Sequence, residues 1–289
     1  MDDIFDINNK KFDINKCPYY ETKCKDLKCP CAKYKAYLDV QNPQIIEQEL
    51  KNLNISDNMN LFEKIFNIQK HFASRFHVVY NIPKEVTEHW CKEYAICMED
   101  EIEELFDYIK LEDNKKIKTD INELKKEIAD ILHFVLDQMI AVNVSPNIIL
   151  NKFKDKYIQQ IYINDPLIDI FNYAIKQIED IFNVYRNNEY SNYKNMWNYA
   201  GKENKWNDIL KTLALRLLFI NREIRQQISW KHWKKPFKTI NYDNLYQICV
   251  DLWYQFMLLA AFIFNDANEL TQIYIKKNIE NIRRQKYNY

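Results

Sequence analysis

The chain has 289 residues, of which 47% are apolar and 28% charged, and this composition is typical of a globular protein with a sizeable core. The 41 basic and 41 acidic residues cancel, so the charge balance predicts neither a nucleic-acid partner nor an anionic membrane surface. The single glycine, Gly201, cannot build a glycine-rich phosphate loop or the tight turns of a many-stranded sheet. The composition therefore predicts an all-α protein.

Residues 1–43 differ from the rest of the chain and are predicted to form a cysteine-containing arm. Cys17, Cys24, Cys29 and Cys31 lie close together there, and four thiolates are preferred ligands of a structural zinc ion. The spacing contains no pair of cysteines separated by two residues, which is the usual arrangement at a zinc site. Reduced cysteines in a loosely packed arm are therefore the favoured interpretation, and a zinc site is the alternative.

From about residue 44 to residue 289, apolar residues recur at helical spacing, and nine helices are predicted in one domain. Two helix starts are well marked, because Ser145-Pro146 and Asp165-Pro166 each place a capping side chain before a proline at the first helical position. These helices are expected near 146–162 and 166–187.

The polar stretch 186–207 interrupts the helical pattern and is predicted to be a long connection or insertion. The longest apolar run, 256–264, is too short to span a bilayer, so no membrane segment is predicted. Residues 1–6 are acidic where a targeting segment would be basic, which favours a cytoplasmic protein.

Two segments each carry a pair of acids three residues apart, Glu101 with Glu104 and Glu127 with Asp130. On a helix this spacing places both carboxylates of a pair on one face. The polar linker 112–119 predicts a turn between two antiparallel helices, which would bring the four acids to the same height. A merely solvated acidic face is the alternative for the first pair.

Four neighbouring carboxylates repel one another unless cations lie between them. Mg²⁺ prefers oxygen ligands and commonly shares them with substrate phosphates. The acid pairs therefore predict magnesium-dependent phosphate or pyrophosphate chemistry that needs no glycine-rich loop.

These segments resemble the dimeric all-α dUTPases, which belong with the MazG-like nucleoside triphosphate pyrophosphatases. The stretch 127–134, including His133, is very similar to the second metal-binding motif of that family, and Glu101 to Asp107 resembles the first. The resemblance implies an all-α helical bundle that cleaves a deoxynucleoside triphosphate to the monophosphate and pyrophosphate. It also implies about two or three Mg²⁺ ions, held by Glu101, Glu104, Glu127 and Asp130, with Glu104 as the base for the attacking water.

The C-terminal sequence 274–289 resembles a box of the same family whose side chains contact the triphosphate. The matching residues are Lys277, Asn278, Asn281, Arg284 and Tyr289. Three of them, Lys277, Asn281 and Arg284, fall on one helical stripe and can converge on an anion. A basic helix end that only complements the helix dipole is the alternative.

Gln69 matches the glutamine that recognises uracil in this family, but Ala73 stands where the family has an asparagine. The resemblance favours dUTP as the substrate, and the same chemistry on another nucleotide such as dCTP is the alternative. A different class of function is a catalytically inactive structural or interaction protein derived from the family.

The resemblance also implies a homodimer. The helix pair near 207–265 is expected to supply the dimer contact or the wall beside the base, with Leu258, Leu259 and Phe262 as packing residues.

Overall fold

The computed structural model of the chain describes residues 5–6, 11–12, 39–56, 58–75, 84–109, 121–157, 165–185, 203–228 and 240–286. Several predicted features lie outside these residues: the four cysteines of the arm (Cys17, Cys24, Cys29 and Cys31), the linker 112–119, Tyr289 and most of the predicted insertion.

The described part of the chain is almost entirely helical, which confirms the predicted all-α class. Its nine helices are α1 Pro43–Asn52, α2 Leu61–Arg75, α3 Lys84–Ile109, α4 Ile121–Ala141, α5 Pro146–Tyr157, α6 Pro166–Tyr185, α7 Glu203–Gln227, α8 Tyr242–Ile263 and α9 Ala267–Lys286. Two short strands, β1 Phe5–Asp6 and β2 Lys11–Phe12, form an antiparallel pair with Phe5 opposite Phe12.

The two marked helix starts are confirmed, because Pro146 and Pro166 are the first residues of α5 and α6. One boundary differs from the prediction: α7 begins at Glu203, inside the stretch 186–207 that was expected to be a connection. Apolar residues at Trp206, Leu210 and Leu213 already follow helical spacing, so the helix starts before the polar stretch ends.

The chain divides into two compact units, residues 1–57 with 275–289 and residues 58–274. In the smaller unit, Asn42 caps α1 by accepting a hydrogen bond from the backbone N–H of Gln44 at 3.0 Å. Arg283 pairs there with Asp39 at 3.1 Å and with the buried Glu49 at 2.9 Å. Two carboxylates thus pair with one guanidinium and join α1 to the end of α9.

In the larger unit, α3 and α4 form an antiparallel pair. The Gln138 side chain of α4 donates to the Cys91 carbonyl of α3 at 2.9 Å, and the rings of Phe134 and Tyr94 lie 6.5 Å apart. The two helices run in opposite directions, so the later turns of α3 lie opposite the earlier turns of α4.

The helix α7 packs against α3 in the parallel direction. Asn221 donates to the Ala95 carbonyl at 2.7 Å, and Arg225 pairs with Glu99 at 2.6 Å one turn further along both helices. Because Asn221 is fully buried, its hydrogen bond to the backbone offsets part of the cost of removing an amide from water.

The helix α8 lies in the core of the larger unit. Trp253 is fully buried and stacks on Phe62 of α2, with ring centroids 4.7 Å apart. Leu258, Leu259 and Phe262 are also buried within the chain itself, so they are packing residues, as expected. Among the described helices α8 alone has the length and apolarity to cross a bilayer, but 78% of its apolar window is buried, as in a core helix.

Candidate metal centre

Three carboxylates from α3 and α4 meet at one point in the larger unit. Glu101 of α3 and Glu127 and Asp130 of α4 each place an oxygen within 4.8 Å of the other two. Glu127 is buried, whereas Glu101 and Asp130 are half-buried. The group therefore has one side toward the protein interior and one side toward solvent.

The local sequence explains why these three side chains meet. Glu127 and Asp130 are three residues apart on α4 and so share a face of that helix. The antiparallel pairing of α3 with α4 places Glu101 opposite that face. Carboxylate oxygens at this separation repel each other in the absence of a cation, and they are the ligand type that Mg²⁺ prefers. The donor set and its spacing therefore fit a hard divalent cation.

Glu104, the fourth predicted ligand, is not part of this group. It lies one turn beyond Glu101 on α3 and its side chain is exposed. Tyr108, one further turn along α3, has a pKa raised by burial and then by the negative charges of Glu127, Glu123 and Glu104. Glu104 is thus close enough to act electrostatically on the same region as Glu127 while remaining open to solvent.

Gln69, the predicted base ligand, lies in a buried hydrogen-bond network on α2. Its Nε2 donates to Asp137 of α4 at 2.8 Å. Its Oε1 is 2.8 Å from His133 Nδ1 and accepts from the Tyr274 hydroxyl of α9 at 2.6 Å. Gln69 and Tyr274 are fully buried, so the structure places the Gln69 amide among protein groups and away from solvent.

Asp137 is a buried carboxylate that lies two turns beyond Asp130 on the same face of α4. Burial raises its pKa to about 7, and the hydrogen bond from Gln69 opposes this effect. Asp137 also contributes to the raised pKa of Cys97, after burial and the charges of Asp100, Glu93 and Glu101. Cys97 therefore lies within electrostatic reach of Asp137 and of Glu101, which belongs to the candidate metal centre.

The predicted phosphate ligands lie on the part of α9 that belongs to the smaller unit. Asn278 is fully buried, Lys277 and Asn281 are half-buried, and Arg284 pairs with Glu280 one turn earlier on the helix. Arg284 is therefore already neutralised by a carboxylate of its own helix.

The sequence did not lead to two residues of this region, Asp137 and Tyr274. Asp137 interrupts the apolar stretch of α4 between Leu136 and Met139, and an acid at such a position is a signal that could have been used. Tyr274 is the first residue of the C-terminal box, but no local signal predicts its contact with Gln69, because only the fold brings α9 to Gln69.

A family model described as dUTPase matches residues 61–213, slightly more than half of the chain. The match contains Gln69, all four predicted metal ligands and Asp137, and it ends before the C-terminal box at 274–289. Comparison with curated proteins and with solved structures gave no significant match.

Proposed function

Since the chain belongs to the dUTPase family, we propose that it is a pyrophosphohydrolase that cleaves dUTP to dUMP and pyrophosphate with the help of Mg²⁺. The observation that supports this most directly is the group formed by Glu101, Glu127 and Asp130. Three hard oxygen ligands with a solvent-facing side suit a cation that must also bind the phosphates of a substrate.

In this proposal Glu101, Glu127 and Asp130 hold the cation, which when bound neutralises phosphate charge and lowers the pKa of the attacking water. Glu104 is proposed to accept the proton of that water, and its exposure one turn away from the group supports this role. By resemblance, Lys277, Asn278, Asn281 and Arg284 form an anion-binding stripe on α9, and Tyr289 belongs with them.

The base specificity follows from Gln69 in the same proposal. Ala73 is buried one turn after Gln69, where the family resemblance expects an asparagine, so one of two expected amides is missing. Preference for dCTP is therefore the second candidate, and loss of catalysis with retention of the fold is the third. We also propose that the enzyme acts in the cytoplasm.

We further propose that two copies associate through the exposed surface of α7. Phe219 and Leu215, one turn apart, are 60% and 42% exposed. Phe219 borders a cavity of about 530 Å³ whose lining also includes Glu103 and Arg222. Apolar groups beside charges of both signs make a surface complementary to itself, which is what a two-fold dimer requires.

The test of the enzymatic proposal is pyrophosphate release from each deoxynucleoside triphosphate with Mg²⁺ and with excess chelator. We expect turnover of dUTP that depends on the cation and is lost in Asp130→Asn, which removes one ligand charge. Asp100→Asn is the matched control, because Asp100 is an exposed acid of α3 outside the group, and its activity should equal that of the wild type. Absence of turnover with every nucleotide would refute the proposal.

A further inference from the structure

Each of the two helices of the candidate metal centre is joined to a further helix by an ion pair. On α3, Glu99 accepts from Arg225 of α7, whose Nη1 lies 2.6 Å from both carboxylate oxygens. On α4, the Lys125 ammonium pairs with Glu269 of α9. Glu99 and Lys125 each stand two residues before a carboxylate of the centre. The same spacing therefore recurs on both helices.

This spacing places the ion pairs on the far side of each helix from the centre. Two residues correspond to a rotation of about 200° around a helix axis, which is nearly the opposite face. Glu101 and Glu127 meet between α3 and α4, whereas Glu99 reaches α7 and Lys125 reaches α9. A contact on the opposite face resists rotation of the helix about its axis, and such a rotation would change the separation of the carboxylate oxygens.

Both ion pairs are largely shielded from solvent. The side chains of the α3–α7 pair are 27% and 19% exposed, and those of the α4–α9 pair are 10% and 27% exposed. Glu269 also accepts from the backbone N–H of Asn265 at 2.8 Å, and Lys125 Nζ lies 5.7 Å from the centre of the Phe264 ring. Shielded charges with additional partners hold a fixed geometry better than an exposed surface pair does.

The three carboxylates of the centre repel one another, and this repulsion favours any movement that separates them. We infer that the pairs Arg225–Glu99 and Lys125–Glu269 clamp α3 and α4 in the rotation that brings the three carboxylates together, so that the centre binds Mg²⁺ without first rearranging. The four residues act through the two helices and are positioning residues. This inference rests on the proposed function, since it assigns the support of the same Mg²⁺ site.

Lys125→Met and Arg225→Met test the clamp, because a purely electrostatic effect has the opposite sign. Loss of a positive charge near an acidic site should strengthen the attraction for a cation. Loss of the clamp should weaken cation binding instead. We expect the Kd of Mg²⁺ alone, measured by isothermal titration calorimetry without nucleotide, to rise about tenfold in each variant, as when a group that orients a metal ligand is lost.

Exchange of the two charges tests whether the pair itself is required. Lys125→Glu alone should raise the Kd of Mg²⁺, and addition of Glu269→Lys should recover most of the affinity, because the net charge and the pair are restored. Lys126→Met is the matched control, since Lys126 is the next residue of α4 and pairs with Glu123 of the same helix at 2.7 Å. The Kd of this variant should equal that of the wild type or lie below it.

Asp165→Ala is the control for lost stability, because it removes a side chain that caps α2 and α6 and leaves both ion pairs in place. Its Kd for Mg²⁺ should equal that of the wild type, and a rise as large as in Lys125→Met would overturn the inference. An unchanged or lower Kd in Lys125→Met and Arg225→Met would also overturn it.

The wild type separates failure of the clamp from failure of the proposed function. A wild type that hydrolyses dUTP but does not bind Mg²⁺ alone overturns the inference and leaves the pyrophosphohydrolase standing. A wild type that neither binds Mg²⁺ nor hydrolyses any nucleotide overturns both. A wild type that binds Mg²⁺, with weaker binding in both methionine variants, supports the clamp even if no nucleotide is hydrolysed.

Discussion

The four acids that the sequence places together differ in their exposure, and this difference separates their expected roles. Glu127 is buried, Glu101 and Asp130 are half-buried, and Glu104 is exposed and outside the group. A ligand must hold a cation in a fixed geometry, whereas a general base must exchange its proton with solvent after each turnover. Exposure therefore favours Glu104 as the base and the other three as ligands.

The first prediction distinguishes a general base from a metal ligand. Loss of the base should change kcat, whereas loss of a ligand should change the Mg²⁺ concentration for half-maximal activity. Glu104→Gln should lower kcat by about 10²-fold to 10⁴-fold and leave the Mg²⁺ concentration for half-maximal activity unchanged. Glu101→Gln should instead raise that Mg²⁺ concentration, because a ligand charge is lost. Titration of activity with Mg²⁺ in both variants measures this. A weakened Mg²⁺ response in Glu104→Gln would show that Glu104 is a ligand.

The second prediction concerns the stability cost of the buried Asp137. Its pKa of about 7 in the folded protein lies above the ordinary value of about 3.9 in the unfolded chain. As pH rises from about 4 to 7, the unfolded state loses this proton before the folded state does, so Asp137 lowers the free energy of unfolding over that window. Above about pH 7 Asp137 is ionised in both states, so the amount by which it lowers the free energy of unfolding no longer changes with pH.

Asp137→Asn removes this ionisation and should raise the free energy of unfolding at pH 8 by on the order of 2–4 kcal/mol. The gain should vanish near pH 4, where both proteins are neutral at this position. Urea unfolding of both proteins from about pH 4 to pH 8 measures the difference. A gain independent of pH would contradict the raised pKa of Asp137.

At the scale of elements, one side chain connects the starts of two helices. Asp165 Oδ1 accepts from the backbone N–H of Leu167 at 3.0 Å, at the first turn of α6. Its Oδ2 accepts from the N–H of Leu61 at 2.7 Å, at the first residue of α2. The carboxylate thus satisfies two helix N-termini and favours both by its charge, so it fixes α2, the helix that carries Gln69, against α6.

The third prediction follows from this shared cap. Asp165→Ala should lower the free energy of unfolding by about 1–3 kcal/mol, because N–H groups at two helix starts lose their partner. Asp165→Ser should lower the free energy of unfolding by less, because a serine can still cap α6 but does not reach Leu61 at the same time. Urea unfolding gives the three free energies. Equal stability of the alanine variant and the wild type would show that the bond to Leu61 contributes nothing.

At the scale of the whole molecule, α7 presents an exposed apolar surface. Most large apolar side chains of the described helices are buried, but Phe219 is 60% exposed. An aromatic ring beside a cavity is the kind of residue that carries much of the binding energy in a protein interface. The association of two copies through α7 would bury it.

The fourth prediction tests this interface. If the wild type is a dimer by light scattering, Phe219→Glu should be a monomer at the same concentration, because a charge replaces the ring that the proposed interface would bury. Asn172→Glu, an exposed change on α6, is the control and should remain dimeric. A monomeric wild type, or a dimeric Phe219→Glu variant, would place the interface elsewhere or exclude it.

The sequence by itself determined the helical class, the starts of α5 and α6, and the pairing of acids on α3 and α4. These features depend on local rules: proline and capping residues act within one turn, and a spacing of three residues fixes a helix face. The acid pairs could be identified as a metal-site candidate because both conditions, spacing and chemistry, are visible along the chain.

Only the tertiary structure decided which acids meet and what surrounds Gln69. Glu101 joins Glu127 and Asp130 while Glu104 does not, because the register of α3 against α4 depends on packing over their full length. Leu258, Leu259 and Phe262 proved to be core residues, since an apolar stripe cannot reveal whether its own chain or a second copy covers it. The contact of Tyr274 with Gln69 joins residues 205 positions apart, and no local pattern encodes such a distance.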